Sequence, residues 1–306
     1  FKQITIQKQN IMKTKTFTQR LLGCMLLAAS TLTVQAAERL LIVGDGVWGG
    51  WSIDNSIVMM NDAAQPDVFT ATVSLKANSD FKFLTETEWG KLEYRAGDAG
   101  VTLSDGVSAA LVSSDDNSND NKFQVGETAN YSIVCDLAAK TVTVTKAAYQ
   151  DDELKHTALW LVGSATTGGW DLGKATMILP SDDNPMVFRG TVDLLEGEMK
   201  IAVNKYTGYG QTFYQRDAAD ETKMVFGGDD NKWNIAKAGQ YDVEADVKNL
   251  TISIKEHTST GINNMETTAT ATAEYFTLSG VRLSAPAKGI CVKRLGNKVV
   301  KTINRK

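Results

Sequence analysis

Histidine, cysteine and proline are scarce: the 306 residues include two, three and four of them, respectively. Two histidines and three cysteines leave too little material for a zinc site or for a Ser-His or Cys-His catalytic arrangement. No stretch shows a sustained helical period with capping residues, which excludes a helical bundle. Basic residues are thin in the middle of the chain. Residues 1–36 hold five basic and no acidic side chains, and residues 262–306 hold eight basic and two acidic. Against chain totals of 32 basic and 36 acidic, residues 37–261 keep 19 and 34, a net charge of −15. Such a body repels phosphate backbones, so nucleic acid is excluded as a partner. The 42% apolar and 22% charged residues fit a globular chain and argue against wholesale disorder.

The amino end reads as an export signal over residues 1–36. Met12 is a plausible start, and Lys13, Lys15 and Arg20 form a basic flank. Residues 21–29 are an apolar run of nine, the length of a signal core and too short to span a bilayer. Val34-Gln35-Ala36 then suits cleavage before Ala37. Leu22-Gly23-Cys24 has the outline of a lipidation site, but only two apolar residues separate Arg20 from Gly23, so no apolar core precedes that cysteine. Cys135 alternates with Tyr131 and Ile133 and reads as a small core residue of a strand.

The body repeats itself. At an offset of 119, residues 40–75 align with 159–194 without a gap, and twelve of 36 positions are identical, against roughly two expected from average composition. Gly49-Gly50-Trp51 falls over Gly168-Gly169-Trp170. At an offset of 110, residues 119–146 align with 229–256, matching Asp120-Asn121-Lys122 to Asp230-Asn231-Lys232. The first copy holds nine more residues, placed in the Gly/Ser/Asp-rich stretch 96–118. Two domains follow, 38–149 and 157–256, joined by a short polar linker over 150–156. Both copies alternate with period two, as in residues 68–75 and 187–194, in short runs rich in β-branched residues and bounded by Gly, Asn and Asp. The expected fold is all-β: tandem antiparallel β-sandwich domains of the immunoglobulin-like or starch-binding-like kind, with a short β carboxy-terminal tail.

Two motifs fail their own requirements. Residues 44–49 fit G-x-G-x-x-G, but the following residues are poor helix material and the second copy has Ala165 at the middle glycine, so the glycines shape a turn instead of a dinucleotide site. Residues 115–120 are acidic, but Asp120 stands where a calcium loop needs Gly and Gly126 where it needs Glu, which leaves a solvated loop with Asx turns. No cofactor and no metal are expected. His156 and His257 lie beside domain boundaries without a neighbouring nucleophile and read as surface residues.

Aromatic residues number 24, and several lie at corresponding places with Lys and Asn beside them. Flat rings can cover the C–H faces of a neutral sugar while amide and ammonium groups bond its hydroxyls. In the first copy the candidates are Trp48, Trp51, Lys82 and Trp89. In the second they are Trp170, Lys200, Asn204, Tyr206, Tyr209 and Trp233. Lys82 and Lys200 are equivalent and point away from the apolar face of their strand. Trp51 and Trp170 suit a packing plug as well as a ligand platform, and Trp233, which replaces Phe123, also suits a core. Exposed aromatics among Gly and polar loop residues call for a ligand, which favours Trp48, Trp89, Tyr206 and Tyr209.

These residues resemble a family. Leu159-Trp160-Leu161-Val162-Gly163, Gly169-Trp170-Asp171, Glu198-Met199-Lys200-Ile201 and Asp230-Asn231-Lys232-Trp233-Asn234-Ile235 are similar to the carbohydrate-binding repeat of SusE/SusF-type outer-membrane starch-binding proteins. The resemblance covers residues 38–256 and is looser in the first copy. It implies β-sandwich modules that hold starch-like α-glucan at the cell surface without cleaving it. It also implies site roles for Lys200, Asn204, Tyr206 and Trp233, and for Lys82 and Trp89. Residues 258–273 read as a linker, and 274–306 as short strands with a Gly296-Asn297 hairpin turn. That tail resembles the carboxy-terminal sorting signal of the type IX (Por) secretion pathway, with Cys291 where an aromatic is usual, and the likeness implies delivery to the outer surface.

The expectation is a non-catalytic, secreted or surface-attached protein. Its partners would be a starch-like glucan or other neutral oligosaccharide, and outer-membrane glycan-uptake or secretion machinery. Two alternatives stay open. One is a glycoside hydrolase or an accessory module of one; the hydrolase would need a pair of carboxylates flanking a cleft, and the repeat does not preserve one. A structural or adhesive surface protein would bury the aromatics in its cores.

Overall fold

The computed structural model describes residues 37–258, 273–277, 282–285, 289–295 and 298–304. The expected signal segment and the Gly296-Asn297 turn lie outside the described residues. The chain forms two compact units, residues 1–257 and 258–306.

The first unit contains two β-rich halves, one for each copy of the repeat. The all-β expectation holds, and among the described residues a single 3-10 turn, Leu172–Lys174, interrupts the strands. In the first copy one sheet runs Ile57–Val58, Leu41–Val43, Lys82–Leu84, Glu93–Ala96, Ser108–Ser113, Thr141–Lys146, Ala129–Asp136, Gln65–Leu75, Met60–Asp62 from edge to edge. Its first and last strands flank Met59, so the sheet curls back on itself into a closed, flattened sandwich. In the second copy the order is Met224–Phe226, Phe213–Arg216, Gly197–Ala202, Leu159–Val162, Thr176–Pro180, Val187–Leu194, Gly239–Asp246, Thr251–Glu256, with Trp233–Ile235 also paired to Gly197–Ala202. Pairing along both paths is antiparallel, which lets short connections join neighbours. The surplus residues of the first copy form the strand Val101–Leu103, parallel to Phe123–Val125, and a longer Ser108–Ser113.

Alternation fills the two cores. Phe69, Ala71, Val73 and Leu75 face inward in the first copy, and Phe188, Val192 and Leu194 in the second. Cys135 is buried in the first core as a free thiol, and burial pushes its pKa well up.

Leu40–Val43 and Leu159–Val162 are apolar at every position, and every one of those residues is buried. Leu40, Ile42, Leu159 and Leu161 enter their own cores. Leu41, Val43 and Leu84 point the other way and share a third hydrophobic cluster with Trp160, Val162, Ala202 and Phe213. The outer faces of the two copies are therefore packed on each other. Polar contacts fasten the seam. Asn204 Nδ2 donates to the carbonyl and hydroxyl oxygens of Ser56, each at 3.0 Å, and the backbone N–H of Thr212 donates to Asn55 Oδ1 at 2.8 Å. The expected polar linker is itself tied down: Leu154 is buried, and the Asn130 side chain donates to the carbonyls of Tyr149 and Asp152.

His156 corrects the surface expectation. It is buried, with Nε2 3.1 Å from Tyr214 Oη and its ring edge-on to Trp48 at 5.1 Å. Burial, aided by the charge of Lys155, pushes its pKa down to about 3.

In the second unit, four short strands form one antiparallel sheet in the order Arg282–Leu283, Glu274–Phe276, Gly289–Leu295, Lys298–Asn304.

Candidate carbohydrate-binding platforms

A pair of aromatic rings recurs in each copy at matching positions, three of the four exposed and Trp51 half-buried. In the first copy Trp51 and Trp89 lie with ring centroids 6.4 Å apart. Trp89, in the loop between Lys82–Leu84 and Glu93–Ala96, is 49% exposed. In the second copy Trp170 is 39% and Tyr209 48% exposed, and Tyr209 Oη donates to the Trp170 carbonyl. Trp51 matches Trp170, and Trp89 matches Tyr209.

The shared Gly-Gly sets the first ring of each pair. A side chain on Gly49 would stand 2.2 Å from the Asn55 carbonyl oxygen, and one on Gly168 2.3 Å from that of Lys174. Gly50 and Gly169 take the left-handed conformation, with φ of +58° and +59°. The tight turn ends with the indole exposed at Trp170 and half-buried at Trp51.

Beneath each pair lies the same ionic clasp. Lys82 Nζ sits 2.9 Å from Asp120 Oδ1, and Lys122 Nζ 2.9 Å from Asp120 Oδ2. Lys200 and Lys232 hold Asp230 in the same way, at 2.9 and 2.8 Å. Each ammonium also lies by a ring: Lys82 by Trp89 at 5.4 Å, Lys122 by Trp51 at 5.8 Å, Lys200 by Tyr209 at 5.2 Å and Lys232 by Trp170 at 5.9 Å. Hydrogen bonds from Lys232 and Lys200 hold the Asp230 carboxyl below its ordinary value. Burial raises Asp120, but the hydrogen bonds and charges of Lys82 and Lys122 outweigh it, and its carboxyl also ends low. Burial, with smaller contributions from Asp171 and Asp230, pushes the Tyr209 phenol up, so it stays a hydrogen-bond donor near neutral pH.

The copies differ in what backs the lysine. Lys82 has a second carboxylate, Glu93, at 2.7 Å, and both side chains are almost fully buried. The matching position in the second copy is Phe213. There the Lys200 ammonium rests 3.9 Å from the Phe213 ring centre, and Phe213 stacks under Tyr209 at 5.6 Å and 18°. Arg95 is matched by Gln215, a buried side chain whose Oε1 has no hydrogen-bond partner.

Of the ten candidates, the structure brings Trp51, Lys82 and Trp89 together in one place, and Trp170, Lys200 and Tyr209 together in the other. The remaining four lie elsewhere. Trp48 is half-buried between the copies, packed against both cores and edge-on to Phe226. Tyr206 sits at the seam with Arg39 stacked on it at 5.0 Å. Asn204 is fully buried and serves as the bolt to Ser56. Trp233 is 3% exposed, and its indole donates to the Glu221 carbonyl at 2.9 Å, which leaves no ring face for a sugar. Asp120, Lys122, Asp230, Lys232, Phe213 and Gln211 were missed as members. The matched Asp-Asn-Lys triplet was the available signal for the first four. Gln211 Oε1 accepts from the backbone N–H groups of Val203 and Asn204, both at 2.9 Å, and so braces the loop that presents Tyr209.

No protein-family model and no curated protein matches the chain. Among solved structures it is similar to the crystal structure of SusF from Bacteroides thetaiotaomicron, with 14% identity and a TM-score of 0.30 over 84% of this chain. The match spans 57% of that protein, and at this level the likeness carries no argument about a site.

Proposed function

We propose that the protein is a non-catalytic binding protein for a starch-like glucan or another neutral oligosaccharide, held on two aromatic platforms. One observation carries this reading. Trp51/Trp89 and Trp170/Tyr209 occupy equivalent positions and each lie over a Lys–Asp–Lys clasp; Trp89, Trp170 and Tyr209 are exposed and Trp51 is half-buried. A pair of rings covers the apolar faces of a sugar, and the outer members of the clasp, Lys122 and Asp120 or Lys232 and Asp230, offer an ammonium donor and a carboxylate acceptor at its rim. Each clasp sets two ammonium groups against one aspartate, and in the first copy Glu93 adds a second carboxylate.

A hydrolase is the weaker reading. Glu93 and Asp120 both clasp Lys82, so neither is free to act as general acid, and the second copy has Phe213 in place of the glutamate. The domain limits 38–149 and 157–256 belong to this reading. So do an export signal over 1–36, a sorting tail over 274–306 and placement at the outer-membrane surface or outside the cell, where glycan-uptake or secretion machinery would be the partner.

Isothermal titration of the purified protein with maltooligosaccharides tests the proposal. Saturable binding that disappears when all four platform rings are replaced by alanine is the expected result. Binding that survives their removal, or heat from no glucan at all, would overturn it.

A further inference from the structure

A groove beside Trp233–Ile235 in the second copy has a filled counterpart in the first. In the first copy Phe123 exchanges backbone hydrogen bonds with Phe81, both 2.9 Å long, so the backbone of Gln124 faces the other way. It meets the parallel strand Val101–Leu103, with Thr102 opposite Gln124. The chain then turns and lays Ser108–Ser113 along Thr141–Lys146. This insert buries Leu103 and covers Val144 completely.

The second copy has the same frame without the insert. Trp233 pairs with Met199, and among the described residues no strand lies on the far side of Trp233–Ile235. By the same alternation the Asn234 backbone faces outward. Among the described residues, the strand Thr251–Glu256 has only a bridge at Thr251 and one backbone hydrogen bond at Ile252 on its outer side, so Ser253 to Glu256 form an edge that no described strand covers. Between the two edges lies a cavity of about 840 Å³, walled by Ile235, Tyr241, Ile252 and Ile254. Its rim carries three cations, Arg216, Lys232 and Lys255, against two carboxylates, Glu198 and Glu221.

We propose that this groove docks an extended segment of a partner polypeptide, added as a strand parallel to Trp233–Ile235. The occupant has apolar–polar–apolar alternation and a net negative charge of small size. The insert of the first copy gives the pattern: Val101 and Leu103 turn to the core, Thr102 turns out, and Asp105 follows. Main-chain hydrogen bonds to Asn234 supply affinity, and the apolar wall selects the alternate side chains.

The probe is a synthetic peptide with the sequence of residues 100–111 (GVTLSDGVSAAL), titrated calorimetrically into the full-length protein. The expected result is one saturable site per chain, weakened at least tenfold by Asn234→Pro, which removes the outward donor at an edge that tolerates proline. Ile254→Arg, which fills the groove without touching the backbone, should weaken it equally, with the thermal midpoint of the protein held. A peptide with serine for Val101 and Leu103 should bind at least tenfold more weakly. Absence of saturable binding up to about 1 mM peptide, or binding indifferent to Ile254→Arg, overturns the proposal. So does displacement of the peptide by maltoheptaose, which would give the groove to sugar. Peptide-driven dissociation of a dimer in sedimentation velocity would give it to a second copy of this chain and likewise overturn the assignment.

Discussion

The two copies keep a pair of rings at the same positions and the same clasp on different foundations. In the first, a buried lysine is held between two carboxylates, and the platform stands on an ionic cluster. In the second, one carboxylate is replaced by Phe213, and the lysine, the phenyl ring and Tyr209 form a layered stack. Positions that would touch a ligand are the same in both copies, while the support beneath them has drifted. A pairwise ionic support fails sharply when one member goes, because the other is left charged and dry. An aromatic support fails gradually, in proportion to the apolar surface that is no longer packed.

The seam between the copies gives the largest expected effect. Trp160 is 2% exposed and lies in the cluster the copies share. Trp160→Ala should cost about 3–5 kcal/mol, read by urea denaturation. It should also split a single unfolding transition into two. A loss below about 1 kcal/mol with one transition kept would mean the copies are not joined through this face.

Next comes the ionic foundation. Glu93→Ala leaves Lys82 buried with Asp120 alone and should destabilise by about 3 kcal/mol, while Glu93→Phe, which imports the arrangement of the second copy, should recover part of that loss. If the alanine variant is as stable as the parent, the contrast between the copies is cosmetic.

His156 makes stability depend on pH. Its native pKa is pushed down to about 3 from an ordinary 6.5, so between those values the unfolded chain binds a proton that the native chain refuses. Stability should therefore be unaffected by this group above pH 6.5 and fall on acidification by up to about 1.4 kcal/mol per pH unit. Denaturation midpoints at pH 7 and pH 5 for the parent and for His156→Gln would isolate that slope, which the variant should lose.

The smallest effects should be on binding. Removing both rings of one platform, Trp51 and Trp89 or Trp170 and Tyr209, should weaken that platform about tenfold or more toward maltooligosaccharides. Each double variant should leave one site of two by calorimetry. Equal loss of both sites from either variant would show that the platforms work as one surface.

Much of the fold was legible in the chain. The gapless offset located both copies, and alternation in residues 68–75 and 187–194 put Phe69, Val73, Phe188 and Val192 inside. The shared Gly-Gly-Trp, the lysine between apolar neighbours and the loop aromatics pointed to Trp51, Lys82 and Trp89 and to Trp170, Lys200 and Tyr209, which the fold brings together in each copy. The seam was missed. Lys82 and Lys200 do point away from their cores, but the face they point to is covered, so pointing outward was not the same as being wet. The signal was the unbroken apolar runs 40–43 and 159–162, since a strand that is apolar at every position is buried on both faces. Trp48, Tyr206 and Asn204 were misjudged for the same reason: loop aromatics and amides can be called outward by a neighbouring module as readily as by a ligand. His156 followed them, because a residue beside a boundary is exposed only if the boundary is.

The bolt from Asn204 to Ser56 has a consequence for how a polymer would be held. Domains on a flexible tether can adjust their separation to whatever lies between them, but these two copies cannot. Their rings form a gauge of fixed span and tilt. Short glucans should occupy the two platforms independently. A long one is gripped twice only where its natural coil brings two turns to the right distance, and stiff chains of another linkage are left to be bridged to their neighbours.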